Sequence, residues 1–93
     1  MSEKVQYHVI VYGKVQGVFF RAETSRAAQK FNITGWVRNL ANGNVETIIE
    51  GDETDIQKMI QWLKKGSPLS SVSKIDLQKN PSCSDFNSFK ITG

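Results

Sequence analysis

The chain is organised around nine consecutive residues, Gly13-Lys14-Val15-Gln16-Gly17-Val18-Phe19-Phe20-Arg21. The pattern before them predicts a strand over 5–12, and the helical spacing after them predicts a helix over 21–31. At a strand-to-helix turn of this kind, free backbone N–H groups converge and the helix dipole adds partial positive charge. Gly13 and Gly17 accept backbone angles that a Cβ atom forbids, so successive N–H groups can face one point. The stretch therefore predicts an anion-binding loop.

Arg21 is the residue of this stretch that helix stability does not explain. A cation in the first turn of a helix meets the positive end of the dipole, which is mildly unfavourable, whereas a bound anion would account for it. The apolar side chains of the loop are expected to pack into the core; they are Val15, Val18, Phe19 and Phe20. The alternative is an ordinary turn followed by an exposed arginine, and a pair of glycines alone would favour that alternative. A Walker A loop is excluded because no Gly-Lys-Ser/Thr follows.

Read as a whole, the stretch resembles the signature of the acylphosphatase family, which is a glycine, two residues, Gln-Gly-Val, one residue and Phe-Arg. A second block, Gly35-Trp36-Val37-Arg38-Asn39, is similar to the family's other signature. Three further segments fit in family order, namely Asn42-Gly43-Asn44-Val45-Glu46, Glu50-Gly51 and Phe89-Lys90-Ile91. The resemblance spans nearly the whole chain. It implies an enzyme that hydrolyses the carboxyl–phosphate bond of acyl phosphates.

Two residues are expected to be catalytic, Arg21 and Asn39. The planar guanidinium of Arg21 can hold two phosphate oxygens at once. The family's catalytic asparagine ends the motif that ends here at Asn39, so the resemblance implies that Asn39 places the attacking water. From composition alone, an asparagine that merely prepares the hairpin turn explains this position about as well.

The other loop residues are expected to bind the remaining phosphate oxygens through their backbone amides. The substrate-binding residues are Val15, Gln16, Gly17, Val18, Phe19, Phe20 and Arg21. Gly13 is expected to support the loop, and Thr24 matches a hydroxyl that the family often has one turn past its arginine. Leu40 stands where the family often has a hydroxyl after its asparagine, which leaves any role of that hydroxyl open.

The leaving group of an acyl phosphate is a carboxylate, a weak base that departs without being protonated. Phosphoryl transfer passes through a loose transition state with charge spread over three oxygens. Hydrolysis therefore requires positioned charge and a positioned water more than a general acid. With one His and one Cys, the sequence has no metal-ligand cluster, and we expect neither a metal nor another cofactor. His8 and Cys83 are expected to have no chemical role.

Length and charge narrow the class of protein further. Ninety-three residues make one domain, 1–93, and a net charge of +3 suits a small anionic substrate. Its partners would be an acyl phosphate and the inorganic phosphate released from it. Lys64-Lys65 is the only adjacent basic pair, so no nucleic-acid partner is expected.

The cysteine count and the hydrophobic pattern bear on location. A single cysteine suggests a reducing compartment such as the cytoplasm. No apolar run approaches about 18 residues, so no membrane partner is expected. A monomer is expected.

Hydrophobic periodicity predicts the element order β-α-β-β-α-β, followed by a short last strand. The predicted ranges are 5–12, 21–31, 33–40, 45–50, 52–65, 70–79 and 86–91. This is the order of an α+β, ferredoxin-like split β-α-β fold, with two helices packed on one face of a mostly antiparallel sheet. The resemblance implies the same fold, with the last strand as an addition.

Particular residues predict where elements end and which way they face. Asn32 is expected to end the first helix, because Asn tolerates the left-handed conformation, and Asp52 to cap the second. In the first strand, the side chains that point to one face and those that point to the other are both substantially apolar or aromatic. This pattern predicts a central strand covered on both faces or nearly so. Ile75 and Leu77 are expected to point inward from the fourth strand.

Two other classes of function stay open. Ferredoxin-like domains include RNA-binding ones, which stack bases on aromatic residues of the central strands. The predicted strand over 45–50 has no aromatic residue and two acids, which argues against this class. An acylphosphatase-like domain that binds phosphate or carbamoyl groups without turnover is the other, and the presence of both Arg21 and Asn39 argues against it.

Overall fold

Seven elements follow one another in the predicted order. The computed structural model describes residues 4–81 and 86–92, so Cys83 lies outside the described residues. The elements are β1 Lys4–Lys14, α1 Phe20–Lys30, β2 Thr34–Asn39, β3 Val45–Asp52, α2 Glu53–Lys65, β4 Ser71–Asn80 and β5 Phe89–Ile91. The boundaries agree with the predictions within about two residues, except that β5 begins at Phe89 and not at residue 86.

The five strands form one sheet in the order β4-β1-β3-β2-β5. β1 lies between β3 and β4 and pairs antiparallel with both, and β2 pairs antiparallel with β3. β5 extends the β2 edge as a parallel neighbour. This arrangement is the ferredoxin-like α+β fold with an added C-terminal strand, as predicted. Of the two helices described, neither has the length and apolar character that crossing a membrane requires.

The core lies between the helices and one face of the sheet. The helices bury, at helical spacing, Phe20, Thr24, Ala27, Ala28, Ile56, Met59, Ile60 and Leu63. The sheet contributes Val9, Val11, Val37, Val45 and Ile49, none of which is accessible to solvent. Side chains alternate between the faces of a strand, so Asn39 lies on the same face of β2 as the buried Val37. The side chain of Asn39 therefore points to the helix-covered side of the sheet, at the end of β2.

The opposite face of the sheet carries polar pairs in place of a covering layer. His8 Nε2 lies 2.6 Å from Glu46 Oε2, and Arg38 Nε donates a 2.5 Å hydrogen bond to Glu46 Oε1. Burial by itself raises the pKa of the Glu46 carboxyl, but the hydrogen bonds from His8 and Arg38 outweigh burial and lower that pKa below its ordinary value. On this side β1 is only partly covered, since His8 and Tyr12 are half-buried and the Tyr12 hydroxyl donates a 2.7 Å hydrogen bond to Asp76.

The ends of the helices follow the sequence with one difference. Asn32 has a φ of 58°, the left-handed conformation expected just after α1. Asp52 occupies the N-cap position of α2, but its side chain makes no capping hydrogen bond. In β4, Ile75 packs against the core as predicted. Leu77 lies on the same face, opposite the buried Val9, so it also points inward as predicted, but on this edge strand its side chain stays 42% exposed.

Candidate active site

The loop between β1 and α1 takes its shape from two glycines with positive φ. Gly13 has a φ of 125° and approaches the next strand so closely that a Cβ atom would lie 2.1 Å from the Ser71 carbonyl oxygen. Gly17 has a φ of 72°, and a Cβ atom there would meet nothing within 4 Å. Gly13 is therefore needed both for space and for conformation, and Gly17 for conformation alone.

Apolar side chains fix the loop to the core at both of its ends. Val15 and Phe20 are 1% and 2% exposed, and Val18 packs partly buried against the core. The Phe20 ring also lies 5.8 Å from the ring of Trp62 on α2, centre to centre. The core prediction is confirmed for these three loop residues.

Phe19 is the exception among the apolar loop residues. Its side chain is 77% exposed, and its backbone has φ 58° and ψ 22° at the N-cap of α1. A left-handed conformation is uncommon for a bulky residue and costs free energy that the surrounding structure must supply. The prediction that Phe19 packs into the core was wrong, because this conformation turns the ring out to solvent.

Gln16 ties the loop to the hairpin between β2 and β3. Its Nε2 donates hydrogen bonds of 2.7 Å to the carbonyl oxygens of both Leu40 and Asn44. The same hairpin is closed by hydrogen bonds from Leu40 N–H to the Asn44 carbonyl and from Gly43 N–H to the Leu40 carbonyl. The loop and the end of β2 are thus held in one rigid arrangement.

A cavity of about 310 Å³ opens between the loop, the start of α1 and the end of β2. It brings Arg21 from α1 and Asn39 from β2 to the same space, although they are far apart in the chain. The loop residues that line it are Val15, Gly17, Phe19 and Phe20. Of the predicted substrate-binding residues, Gln16 and Val18 do not line it. Arg21 is the one ionisable residue among the described residues that line this cavity.

The side-chain oxygen of Asn39 has an unusual environment. Its Oδ1 atom is buried and has no hydrogen-bond partner within the part of the chain that the structure describes. An unsatisfied buried acceptor costs about 1–3 kcal/mol. Such an atom beside a cavity is typical of a group whose partner is a ligand or a bound water.

Two residues of the cavity wall were missed from the sequence, Ala22 and Ile91. Ala22 directly follows Arg21 on α1, so its position on the wall follows from the helix itself. Ile91 lies on β5, which pairs with β2 so that Ile91 is opposite Val37, two residues before Asn39. Parallel pairing of β5 was not predicted, so Ile91 was matched to the family only within the segment Phe89-Lys90-Ile91 and not as a residue of the cavity wall.

The two residues predicted to support the loop, Thr24 and Gly13, do not line the cavity. The hydroxyl of Thr24 is buried and donates a 2.7 Å hydrogen bond to the Phe20 carbonyl oxygen, within the first turn of α1. Gly13 lies where β1 approaches β4. In the described ranges 4–81 and 86–92, no group of three or more His, Cys, Asp or Glu side chains is placed to hold a metal ion.

Comparison with known proteins gives one consistent family. The family model described as acylphosphatase matches residues 7–91. The acylphosphatase of Syntrophobacter fumaroxidans is 42% identical over 90 residues, covering 97% of this chain and 93% of that protein. The acylphosphatase of Syntrophus aciditrophicus is 44% identical over 84 residues, covering 90% of this chain and 88% of that protein. The crystal structure of acylphosphatase from Bacillus subtilis matches with a TM-score of 0.92 and 38% identity, covering 96% of this chain and 99% of that one.

Proposed function

The chain belongs to the acylphosphatase family and is an enzyme that hydrolyses acyl phosphates, and we propose that Arg21 holds the phosphate group while Asn39 places the attacking water. The observation that carries the proposal is the cavity that Arg21 and Asn39 both line, with the unpartnered Oδ1 of Asn39 buried beside it. Arg21 brings the positive charge and Asn39 the hydrogen-bonding group. These are the two elements that this hydrolysis requires.

Arg21 and the loop amides would bind the phosphate group together. The guanidinium offers two parallel N–H donors to two oxygens. The backbone N–H groups of residues 15–20 lie at the N-terminal end of α1, where the helix dipole also favours an anion. In the transition state, as the bond between the acyl oxygen and phosphorus lengthens, negative charge is spread over the three phosphoryl oxygens. Fixed donors stabilise that charge without reorganising at the moment of reaction.

Asn39 would hold the water in line with the bond that breaks. The water oxygen forms a bond to phosphorus, and the bond between phosphorus and the acyl oxygen breaks. The electron pair of that bond leaves with the carboxylate, and the water proton passes to an oxygen of the substrate's own phosphate group. The products are a carboxylate and inorganic phosphate.

We propose that the reaction needs no metal ion. The argument rests on the leaving group, because a carboxylate is a weak base and departs without a proton or a Lewis acid. An alkoxide is a strong base and needs one of the two. Arg21 supplies the charge that the transferring phosphoryl group requires.

The remaining predicted site residues receive different roles in this proposal. Gln16 positions the loop against the hairpin, since both of its bonds run to that hairpin, and Val18 fixes the loop to the core. Thr24 and Gly13 support the loop from behind. Leu40, in place of a hydroxyl residue, contributes its carbonyl oxygen to the Gln16 bond.

The wider setting is also a proposal. We propose that residues 1–93 act as a single domain, as a monomer, in the cytoplasm and without nucleic acid. The alternatives of an RNA-binding module and of a phosphate-binding domain without turnover are not favoured, because the similarity to acylphosphatases covers nearly the whole of each chain.

The experiment that tests the function measures phosphate release from benzoyl phosphate, together with thermal unfolding in the presence of inorganic phosphate or single-stranded RNA. We expect rapid release of phosphate. Phosphate should raise the unfolding temperature, because it binds the folded state alone, and RNA should not. Protection by phosphate without turnover would support the non-catalytic alternative, and protection by RNA alone the nucleic-acid-binding one.

A further inference from the structure

A second cavity adjoins the active-site cavity on the other side of Phe19. It has a volume of about 340 Å³ and shares Phe19 and Ala22 with the first cavity. Its apolar wall consists of Val18, Phe19, Ala22, Pro68 and Leu69. The volume lies within the range of about 300–1,000 Å³ that small-molecule sites occupy. A ligand that fills the first cavity could therefore extend directly into the second.

Exposed apolar side chains border this second cavity. Phe19 is 77% exposed and Leu69 is 67% exposed, the two highest values among the large hydrophobic residues that the structure describes. Phe19 reaches its exposed position only through a left-handed backbone, which is unfavourable for a residue of its size. Large apolar groups held out in this way beside a catalytic cavity are typical of contacts with a bound apolar group.

Ser67 provides a second, independent observation. The residue lines the cavity and is 4% exposed, and its Oγ atom has no hydrogen-bond partner among residues 4–81 and 86–92. A buried hydroxyl without a partner is unfavourable in the free protein. A ligand with a hydrogen-bond acceptor would satisfy it, and every acyl phosphate carries a carbonyl oxygen.

The position of the two cavities fits the direction in which the leaving group departs. The first cavity is bordered by Asn39 on β2 and by Ile91 on β5. The second is bordered by residues 67–69, which lead into β4 at the opposite edge of the sheet. In phosphoryl transfer the attacking and leaving oxygens are roughly in line on opposite sides of phosphorus. With the water at Asn39, the acyl group points towards β4 and across Phe19.

The charges at the border of the second cavity favour an uncharged acyl group. Glu23 and Arg26 both line it and form an ion pair with each other, 2.7 Å from Oε1 to Nη1. The pair has no net charge, so it offers a second carboxylate or phosphate on the acyl group little attraction. The remaining wall is apolar apart from Ser67.

We propose that the second cavity is the subsite for the acyl group, and that it selects apolar acyl groups of about aromatic size over small ones. The proposal rests on the proposed function, since it needs the phosphate at Arg21 and the water at Asn39. The apolar body of the acyl group lies against Phe19 and Leu69, and its carbonyl oxygen accepts a hydrogen bond from Ser67. Specificity for the acyl group is thus separate from the residues that perform the hydrolysis.

The test compares kcat/KM for benzoyl phosphate and acetyl phosphate in the wild type and in Leu69→Ser. We expect Leu69→Ser to lower the benzoyl-to-acetyl ratio about tenfold, the size of effect that a lost apolar contact has in a specificity pocket. Comparing ratios between variants cancels the different intrinsic reactivity of the two substrates. Leu77→Ser is the matched control, because Leu77 is also exposed but lies on β4 outside the cavity wall, and it should keep the wild-type ratio.

A second variant tests the contact of Ser67. We expect Ser67→Ala to lower kcat/KM for benzoyl phosphate about tenfold while its unfolding temperature stays at or above that of the wild type, since an unpaired hydroxyl is removed. A purely structural serine would give unchanged kcat/KM. An unchanged benzoyl-to-acetyl ratio in Leu69→Ser, with both substrates hydrolysed, would overturn the subsite. Failure of the wild type to hydrolyse either substrate would instead contradict the proposed function.

Discussion

Gln16 donates a 2.7 Å hydrogen bond to the carbonyl oxygen of Leu40, the residue that directly follows Asn39. The loop between β1 and α1 and the strand end that carries Asn39 are therefore fixed relative to each other by a side chain outside the cavity. An equal bond from the same nitrogen to the Asn44 carbonyl holds the other side of the hairpin. We therefore expect the relative position of Arg21 and Asn39 to depend on this contact.

Gln16→Met tests how much stability and activity depend on the two hydrogen bonds that Gln16 donates. Methionine keeps the size of the side chain and removes both donors, leaving two carbonyl oxygens without this partner. We expect the free energy of unfolding to fall by about 1–3 kcal/mol and kcat/KM for benzoyl phosphate to fall at least about tenfold, because small displacements of catalytic groups are costly. Denaturant unfolding and steady-state kinetics measure the two effects. Gln78→Met, at an exposed position of β4, is the control and should change neither.

Arg21→Lys should nearly abolish turnover and leave the fold intact. Lysine keeps the charge but cannot offer two parallel donors to two oxygens. Loss of a transition-state donor typically costs about 10²–10³-fold in kcat, and we expect at least this loss. Arg38→Lys is the matched control, because Arg38 lies on the opposite face of the sheet with Glu46 as partner. Near-normal kcat in Arg21→Lys, measured by phosphate release, would refute the role given to Arg21.

Asn39→Ala should lower turnover far more than it weakens phosphate binding. In the proposed mechanism Asn39 contacts the water, and the anion is held by Arg21 and the loop. We expect kcat to fall by at least about 10²-fold, while the affinity for inorganic phosphate, measured by calorimetry, stays close to that of the wild type. Asn42→Ala, at the tip of the same hairpin, should keep full turnover. Phosphate affinity lost in step with kcat would place Asn39 among the anion ligands.

Glu46 should make stability depend on pH in the acid range. Its folded-state pKa lies below the ordinary value of 4.5, so its contribution is fully present above that value and is lost as pH falls through the folded pKa. Glu46→Gln should therefore be less stable than the wild type by roughly 1–3 kcal/mol near neutral pH. This difference should shrink as the pH falls below 4.5 and through the lowered folded-state pKa. Denaturant unfolding at several pH values measures it, and a difference independent of pH would contradict the ion-pair assignment.

Activity serves as the internal control for that variant. Glu46 lies on the face of the sheet opposite to the cavity, so Glu46→Gln should hydrolyse benzoyl phosphate at the wild-type rate near neutral pH. The same holds for His8→Gln, whose partner is Glu46. An inactive but folded His8→Gln enzyme would show that His8 takes part in the chemistry.

The fold could be predicted, and Arg21 and Asn39 singled out, because the sequence patterns that indicate them are local or belong to an ordered set of motifs. The glycine spacing of the loop, the apolar spacing of α2 and the Asn42-Gly43 turn each indicate their own structure without help from the rest of the chain. Arg21 was noticed because it conflicts with the dipole of its own helix. Asn39 needed the family motif, since its composition fits a turn equally well.

The features that the sequence could not predict depend on contacts between residues that are far apart in the chain. The bonds of Gln16 run to residues 24 and 28 positions away, and the motif does not show which way its amide points. Phe19 was assigned to the core by its apolar side chain, whereas the chain path forces it into a left-handed conformation and out to solvent. Ile91 reaches the cavity through a parallel pairing of an edge strand. Each of these features is decided by tertiary structure.

The central claim is that a phosphate held by Arg21 and a water placed by Asn39 suffice because the leaving group is a carboxylate. The most direct test compares the rates of phosphate release from benzoyl phosphate and glycerol phosphate, each with and without excess chelator. We predict that benzoyl phosphate is hydrolysed more than about 10³-fold faster, a factor within the range that the missing general acid would supply, and that chelator changes neither rate. Comparable rates on the two substrates, or loss of benzoyl phosphate hydrolysis on chelation, would contradict the account.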